Sequence, residues 1–500
     1  MGEKEEVIWE TRSGPAVGTK AQGSEGRSAM GSRGRQGLLP FRMEAASRPM
    51  DMTSQAGLPL VAELLEALGV QELAERELSI GQRRRGWSAY EKLEWLVLMI
   101  VAGGERIEDI RILARDQGLS RLLGRPTPSP DSLLDFLAAF HDEALFSERP
   151  TEGAWIAPES SALIGLHQLN REMIARGMRR LRPRAATLDL DATILETRRR
   201  EALPHYEGGR GYQPVVVTWS EEDLIVADEY RDGNVPAGMG NVEITGRALA
   251  ALPESVDWRG FRGDSACYDE RLLQYLWREG VHFTISADMT QELRKVCTDP
   301  EVRWEKFETR PTEIVEAAEV EFTPGDWPSY APPMRYVAMR FTAIQGRLFK
   351  DGTDVKYLAV VSNRQDLAPA DLLRWHWRKA GTIEHVHEVV KNELGAGIVP
   401  SQRFGANAAW FRLNLIAYNC LSLLKRHALP ERLRDAKPKR LRYEIFSMAA
   451  SVREHARELT ARLAVPQLTV DELVLARQKL VELSHGWQAS GPGSPELPLS

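Results

Sequence analysis

Between residues 187 and 193 the chain reads Thr-Leu-Asp-Leu-Asp-Ala-Thr, and no other stretch constrains its fold so tightly. Alternation is the period of a β-strand, so Asp189 and Asp191 share one face while Leu188 and Leu190 share the other. Two carboxylates at this spacing on an apolar strand are costly unless they are solvated, paired or bound to a cation. Either the strand ends here in a loop, with Asp as a turn former, or something positive meets this face.

Two further acidic segments lie far along the chain. Asp264, in Arg262-Gly263-Asp264-Ser265, follows an apolar stretch holding Val256, Trp258 and Phe261 and precedes a helical pattern. It, or Ser265, can simply cap that helix. The segment from Thr382 to Lys391 reads as a helix with Glu384, Glu388 and Lys391 at i, i+4 and i+7, on one face. A Glu–Lys pair three residues apart is ordinary surface stabilisation. Val386, Val389 and Val390 make the rest of this helix apolar and packed, so its charged stripe can equally face a cleft. His385, His387 and His376 invite a zinc reading, but histidines at i and i+2 point to different sides, and no further His or Cys completes a set. Three carboxylates from remote segments are the donor set that two hard divalent ions such as Mg²⁺ require. Such ions, about 3.5–4 Å apart, stabilise the attacking and leaving oxygens of phosphoryl transfer.

A chain of 500 residues is too long for one ordinary core, which predicts two or three domains. Its longest apolar run, Trp95 to Gly103, is about half of what a bilayer requires. The N-terminus has no apolar core of a signal peptide. Cys267, Cys297 and Cys420 are scattered and odd in number, which fits a reducing cytoplasm and neither a disulfide framework nor a CxxC metal site. The net charge of −6 speaks to solubility rather than to where a ligand sits. Local charge is different. Arg176, Arg179, Arg180, Arg182 and Arg184 form one basic run, Arg198–Arg200 a second, and Lys425 to Arg442 a third. Each is either a solvated face or a grip for phosphates.

Residues 1–55 lack hydrophobic periodicity and are rich in Gly, Ser, Arg and Glu, which predicts disorder. An all-helical domain follows over 56–150. Leu60, Leu64, Leu65 and Leu68 recur at helical spacing, Arg83–Arg85 form a basic loop, and Ser88 with Glu91 forms a capping box. A helix is predicted over 106–117, and Asp131 as the cap of a helix ending at Phe140. Over 151–294 a linking helix (155–182) precedes strands at 186–190, 214–218, 224–228 and 282–286, with helices at 240–252 and 269–279. Gly208 to Tyr212 reads as a turn, and its glycines do not make a dinucleotide fingerprint. Residues 295–368 read as a β-rich insertion. Helices resume over 369–465, at 372–379, 382–394 and 408–427, and 466–500 hold a C-terminal helix and a tail that is disordered after about Trp487.

In order and context, these segments resemble the DDE transposases of bacterial insertion sequences, in particular the thirteen-eighty group of the IS-four-like superfamily. The resemblance runs from Leu58 to Leu463. It is carried by Gly103-Gly104-Glu105-Arg106, Leu188 to Thr193, Gly211-Tyr212-Gln213-Pro214, Arg231-Asp232-Gly233-Asn234, Arg262 to Ser265, Gly381-Thr382-Ile383-Glu384, Asn407 and Pro438 to Arg442. It implies an α/β fold: an RNase H-like catalytic core with a β-rich insertion between the second Asp and the Glu, plus the N-terminal all-helical domain as a DNA-end binder. It carries the catalytic and metal-binding acids onto Asp191, Asp264 and Glu384. Asp189 competes for the first place, and Asp191 is preferred because Thr193 follows it as the family pattern asks. Further implications are two Mg²⁺ ions (Mn²⁺ possible), double-stranded DNA as partner in the form of terminal inverted repeats and target, a dimer in the synaptic complex, no membrane, and a bacterial cytoplasmic location at the nucleoid. The implied reaction is cleavage of the element's ends and strand transfer into target DNA. A related signature runs Tyr-x2-Arg-x3-Glu-x6-Lys. Glu384 and Lys391 keep its spacing, but Trp377 stands where Tyr belongs and Ala380 where Arg belongs. Arg378 or Lys379 can then serve with Lys391 as the phosphate-binding cations. Two rival readings remain: a transposase-derived DNA-binding protein with weakened catalysis, and an RNase H-like nuclease without strand transfer.

Overall fold

The computed structural model describes residues 51–488 apart from 81–85, 326, 328, 329, 332, 345–348, 350 and 351. The disorder predicted for 1–55 therefore falls outside the described residues up to 50, as do the basic loop at Arg83–Arg85 and most of the C-terminal tail. Within the described part of that first segment, Met52–Thr53 pairs as a short strand with Ser451 and Ala450.

Among the described residues, nine strands form one mixed sheet. In chain order they are β1 (Ala185–Ala192), β2 (Val215–Trp219), β3 (Leu224–Glu229), β4 (Trp258–Gly263), β5 (His282–Ala287), β6 (Glu305–Thr309), β7 (Glu313–Val320), β8 (Arg335–Ala343) and β9 (Val355–Ser362). Their order across the sheet is β6-β7-β8-β9-β5-β4-β1-β2-β3. β1, β2 and β3 are antiparallel neighbours, whereas β4 runs parallel to β1 and β5 parallel to β4. The predicted β-rich insertion supplies β6 to β9. It continues the same sheet, because β9 pairs with β5 from Ala359↔Ala287 to Ser362↔Thr284.

Every residue of β2 and β3 is buried, which is why both read as unbroken apolar runs rather than alternating ones. β3 is an edge strand, and an uncovered edge would leave backbone groups without partners. Helix α1 (Ser161–Met178) and the long helix α4 (Phe404–His427) lie against it. Asn419 on α4 accepts from the Ile225 amide at 2.8 Å and donates to the Ile225 carbonyl at 2.9 Å, closing the edge where it is deepest. Twenty consecutive residues of α4, Gly405 to Leu424, are buried, so this helix is core on all sides. Its Arg412 is held by Asp228 at 2.9 Å and by the Leu163 carbonyl at 2.7 Å.

The capping box predicted at Ser88 forms: the Glu91 amide donates to Ser88 Oγ at 3.1 Å and the Ser88 amide to Glu91 Oε2 at 2.7 Å. It opens the buried helix Ala89–Val101, which packs on α4. The helix predicted over 106–117 is instead broken into Ile110–Ala114 and Gln117–Leu123. Asp116 interrupts it by capping the second piece through the Leu119 amide (2.8 Å) while also accepting from Thr53 Oγ1 (2.9 Å). Ser129, not Asp131, caps Pro130–Ala138. Gly209–Tyr212, predicted as a turn, is the middle strand of a small sheet with Leu195–Glu196 and Leu203–His205. Gly211 is required there, since a Cβ would stand 2.3 Å from the Leu195 carbonyl oxygen. The hairpin of Ala450–His455 and Glu458–Leu463 was not foreseen. Its strands are polar and largely exposed, so they carry no apolar alternation. No described helix is long and apolar enough to cross a membrane.

Candidate active site

The pairing of β1 with β4 builds the site. Their parallel ladder ends at Asp189↔Arg262, and Asp191 and Asp264 each stand two residues further on. Because side chains alternate, Asp189 and Asp191 lie on one face of β1, and Arg262 and Asp264 on one face of β4. The last ladder pair and the two acids just past its end, termed the first and second rungs, differ in charge.

On the first rung Arg262 binds Asp189 through two parallel bonds, Nε to Oδ1 at 2.6 Å and Nη2 to Oδ2 at 2.7 Å. Ser220 Oγ donates to Asp189 Oδ2 at 2.5 Å, and Thr382 Oγ1 donates to the same oxygen. The remaining Arg262 amino group donates to the Trp375 carbonyl at 2.9 Å. Both side chains are buried. Asp189, one of the candidate metal ligands, is thus fully engaged by protein donors.

The second rung holds two acids that are coupled electrostatically. Asp191 Oδ1 accepts from the Ala192 amide at 3.0 Å, and Asp264 accepts from the Ala266 amide at 3.1 Å as the cap of a short 3₁₀ turn. Burial pushes the Asp191 carboxyl up to about 6; the Lys379 ammonium opposes the rise, and Asp264 and Glu384 add to it. The three predicted acids are therefore within electrostatic reach of one another, with Lys379 as their neighbouring cation.

Glu384 arrives on a helix that runs beside β1. Helix α2 (Pro369–Trp377) leads through a 3₁₀ turn at Arg378–Gly381 into helix α3 (Ile383–Asn392). Thr382 meets Asp189, His387 Nε2 lies 4.0 Å from Asp191 Oδ2, and Lys391 Nζ donates to Thr193 Oγ1 (3.2 Å) and the Ile194 carbonyl (3.0 Å). The spacing explains the match. Five helical residues rise about 7.5 Å, and two strand residues advance about 6.6 Å. The face turned to β1 carries Glu384, His387 and Lys391. The predicted stripe of Glu384, Glu388 and Lys391 is thus divided: Glu388 lies on the far flank, exposed, with Lys437 Nζ at 3.2 Å and His385 at 3.8 Å.

The altered signature positions also have a physical account. Trp377 packs edge-on against Phe307 of β6, ring centroids 5.0 Å apart, with the Arg310 guanidinium 4.9 Å above its ring. It fastens the 3₁₀ turn to the inserted strands. Arg378 is exposed on that turn, and Lys379 is the member that reaches the acids. Sequence reasoning held Arg262 only as part of its motif and His387 only as a rejected zinc ligand, and missed their contacts with Asp189 and Asp191. The signal for Arg262 was its position two residues before Asp264, matching Asp189 before Asp191.

Three carboxylates with Lys379 in electrostatic reach are the oxygen-rich donor set that suits hard divalent ions, and the Asp191 carboxyl is raised first by burial and then by its acidic neighbours. Among the described residues no three acidic, His or Cys side chains converge tightly enough to ligate an ion.

Residues 41–485 match the family described as Transposase DDE domain group 1. A cryo-EM structure of a piggyBac transposase synaptic complex with hairpin DNA is similar at 10% identity over 87% of this chain and 80% of that one. Its TM-score is 0.43, too low to carry an argument. No curated protein matches the chain. The family match spans nearly the whole described molecule, and the chain belongs to the DDE-domain transposases of that group.

Proposed function

We propose that this protein cuts the ends of an insertion sequence and joins them to target DNA, in a reaction that depends on Mg²⁺ or Mn²⁺, and that it falls in the thirteen-eighty group. The observation that carries the reading is the second rung, where Asp191, just past the end of the β1–β4 ladder, has Asp264, Glu384 and Lys379 in electrostatic reach. Strand order supports it. β3-β2-β1-β4-β5, antiparallel then parallel, is the order of an RNase H-like core, and the inserted strands fall between Asp264 and Glu384.

Asp191, Asp264 and Glu384 would hold two divalent ions, which supply charge stabilisation to the attacking and leaving oxygens of a phosphodiester. Asp189 takes no part in that set. Its bonds to Arg262 fix the register of β1 and β4, and so set Asp191 against Asp264. Lys391 spends two of its three donors on Thr193 and Ile194, which aims the third at a phosphate oxygen. Lys379 binds a phosphate at the acids, and exposed Arg378 grips the backbone further out. In the first step a water oxygen bonds to phosphorus as the P–O3′ bond breaks, freeing a 3′-OH. That hydroxyl then attacks a target phosphodiester, and the target's 3′ oxygen leaves. The helical region over 56–150 binds the terminal repeats, two copies act together in the synaptic complex, and DNA affinity falls with salt because phosphates dominate the contact.

The test combines a gel shift with a nicking assay on duplex DNA carrying the terminal repeats. Asp264→Ala should bind the ends and fail to cut them with Mg²⁺. Cutting at the wild-type rate by that variant refutes the assignment. A wild-type chain that binds but never nicks is the DNA-binding rival, and one that nicks but cannot join pre-cut ends to target is the nuclease rival.

A further inference from the structure

His387 is partly buried on the site face of α3, one helical turn from both Glu384 and Lys391, and its Nε2 atom is buried without a hydrogen-bond partner. An unpartnered buried polar atom costs about 1–3 kcal/mol, so its retention needs a reason. The nearest acid is Asp191, whose Oδ2 is 4.0 Å away. The other Asp191 oxygen is already oriented by the Ala192 amide at 3.0 Å. Asp189 shows what a fully oriented carboxylate looks like in this sheet, with both oxygens held by Arg262, Ser220 and Thr382. Asp191 has one oxygen held and one facing an idle imidazole.

We infer that His387 is a positioning residue: its Nε2–H donates to Asp191 Oδ2 when the acids hold their divalent ions, and so fixes which lone pairs of Asp191 face the metal. Hydrogen bonds to ligating carboxylates hold ligands in place, and their loss weakens metal binding. This inference rests on the metal-dependent reading above.

The experiment is calorimetric titration of Mn²⁺ into the full chain without DNA, for wild type, His387→Leu and His387→Gln. Leu should weaken Mn²⁺ binding about 10–100-fold. Gln keeps an N–H donor at similar reach and should recover most of the affinity. The Mg²⁺ concentration for half-maximal end cleavage should move in parallel, while metal-free end binding stays at the wild-type value and the metal-free unfolding temperature does not fall. Wild-type Mn²⁺ affinity in a folded Leu variant overturns the inference. So does a Gln variant as weak as Leu, which would make ring packing the cause. A wild-type chain that takes up no Mn²⁺ refutes the metal-dependent function itself, and this inference with it.

Discussion

Two neighbouring rungs of one strand pair, built from three aspartates and an arginine, have opposite designs. Asp189 and Arg262 are buried and neutralise each other with good geometry. Asp191 and Asp264, two residues along, are coupled as like charges past the end of the ladder. The first rung satisfies every donor and acceptor and holds two strands in register. The second leaves charge unbalanced, which no fold needs and which a cation-dependent site does. A carboxylate's role in this sheet is therefore set by what stands across from it, not by its own strand.

Removing a second-rung acid should have the largest effect. Asp264→Ala or Asp191→Asn loses charge stabilisation worth several kcal/mol, so end cleavage should fall about 10³-fold or more, with end binding retained in a gel shift. Breaking the first rung should act on stability instead. Arg262→Leu strands a buried carboxylate and should lower unfolding free energy by about 3–5 kcal/mol in denaturant titration, and adding Asp189→Leu should restore most of that. Equal stability of Arg262→Leu and wild type would abolish the contrast between the rungs.

The pH dependence sharpens the comparison. Burial raises the Asp191 carboxyl from its ordinary value near 3.8 to about 6, so the folded state holds its proton more tightly than the unfolded chain does. Its contribution to stability is full below about pH 4 and is lost as pH rises through about 6. In metal-free protein at pH 7, Asp191→Asn should thus raise stability by about 1–3 kcal/mol and flatten the fall between pH 4 and 7. Added Mn²⁺ should stabilise wild type and not the variant. The smallest effect belongs to the far flank of α3: Glu388→Gln breaks an exposed pair with Lys437 and should change stability by less than about 1 kcal/mol, with cleavage unaltered.

Much of this was legible in the sequence because strand and helix periods are local. The alternation at Leu188 to Asp191 marked β1, and the Val215–Val217 run fell in the strand expected at 214–218. What failed depended on partners remote in the chain. Asp189 and Asp191 look alike until Arg262 is paired with one of them. Glu388 joined Glu384 and Lys391 by helical spacing alone, and only the packing of α3 against β1 and beside Lys437 separates them. Gly209–Tyr212 read as a turn because glycines mark turns, yet Gly211 serves the close approach of backbone in a small sheet. Trp377 looked like a lost tyrosine of the phosphate-binding signature, and its contact with Phe307 and Arg310 crosses to the inserted strands.

Anomalous scattering from Mn²⁺-soaked crystals tests the central claim most directly. The account predicts manganese peaks ligated by Asp191, Asp264 and Glu384, with Asp189 still bound to Arg262. Peaks on Asp189, or none near these three acids, would contradict it.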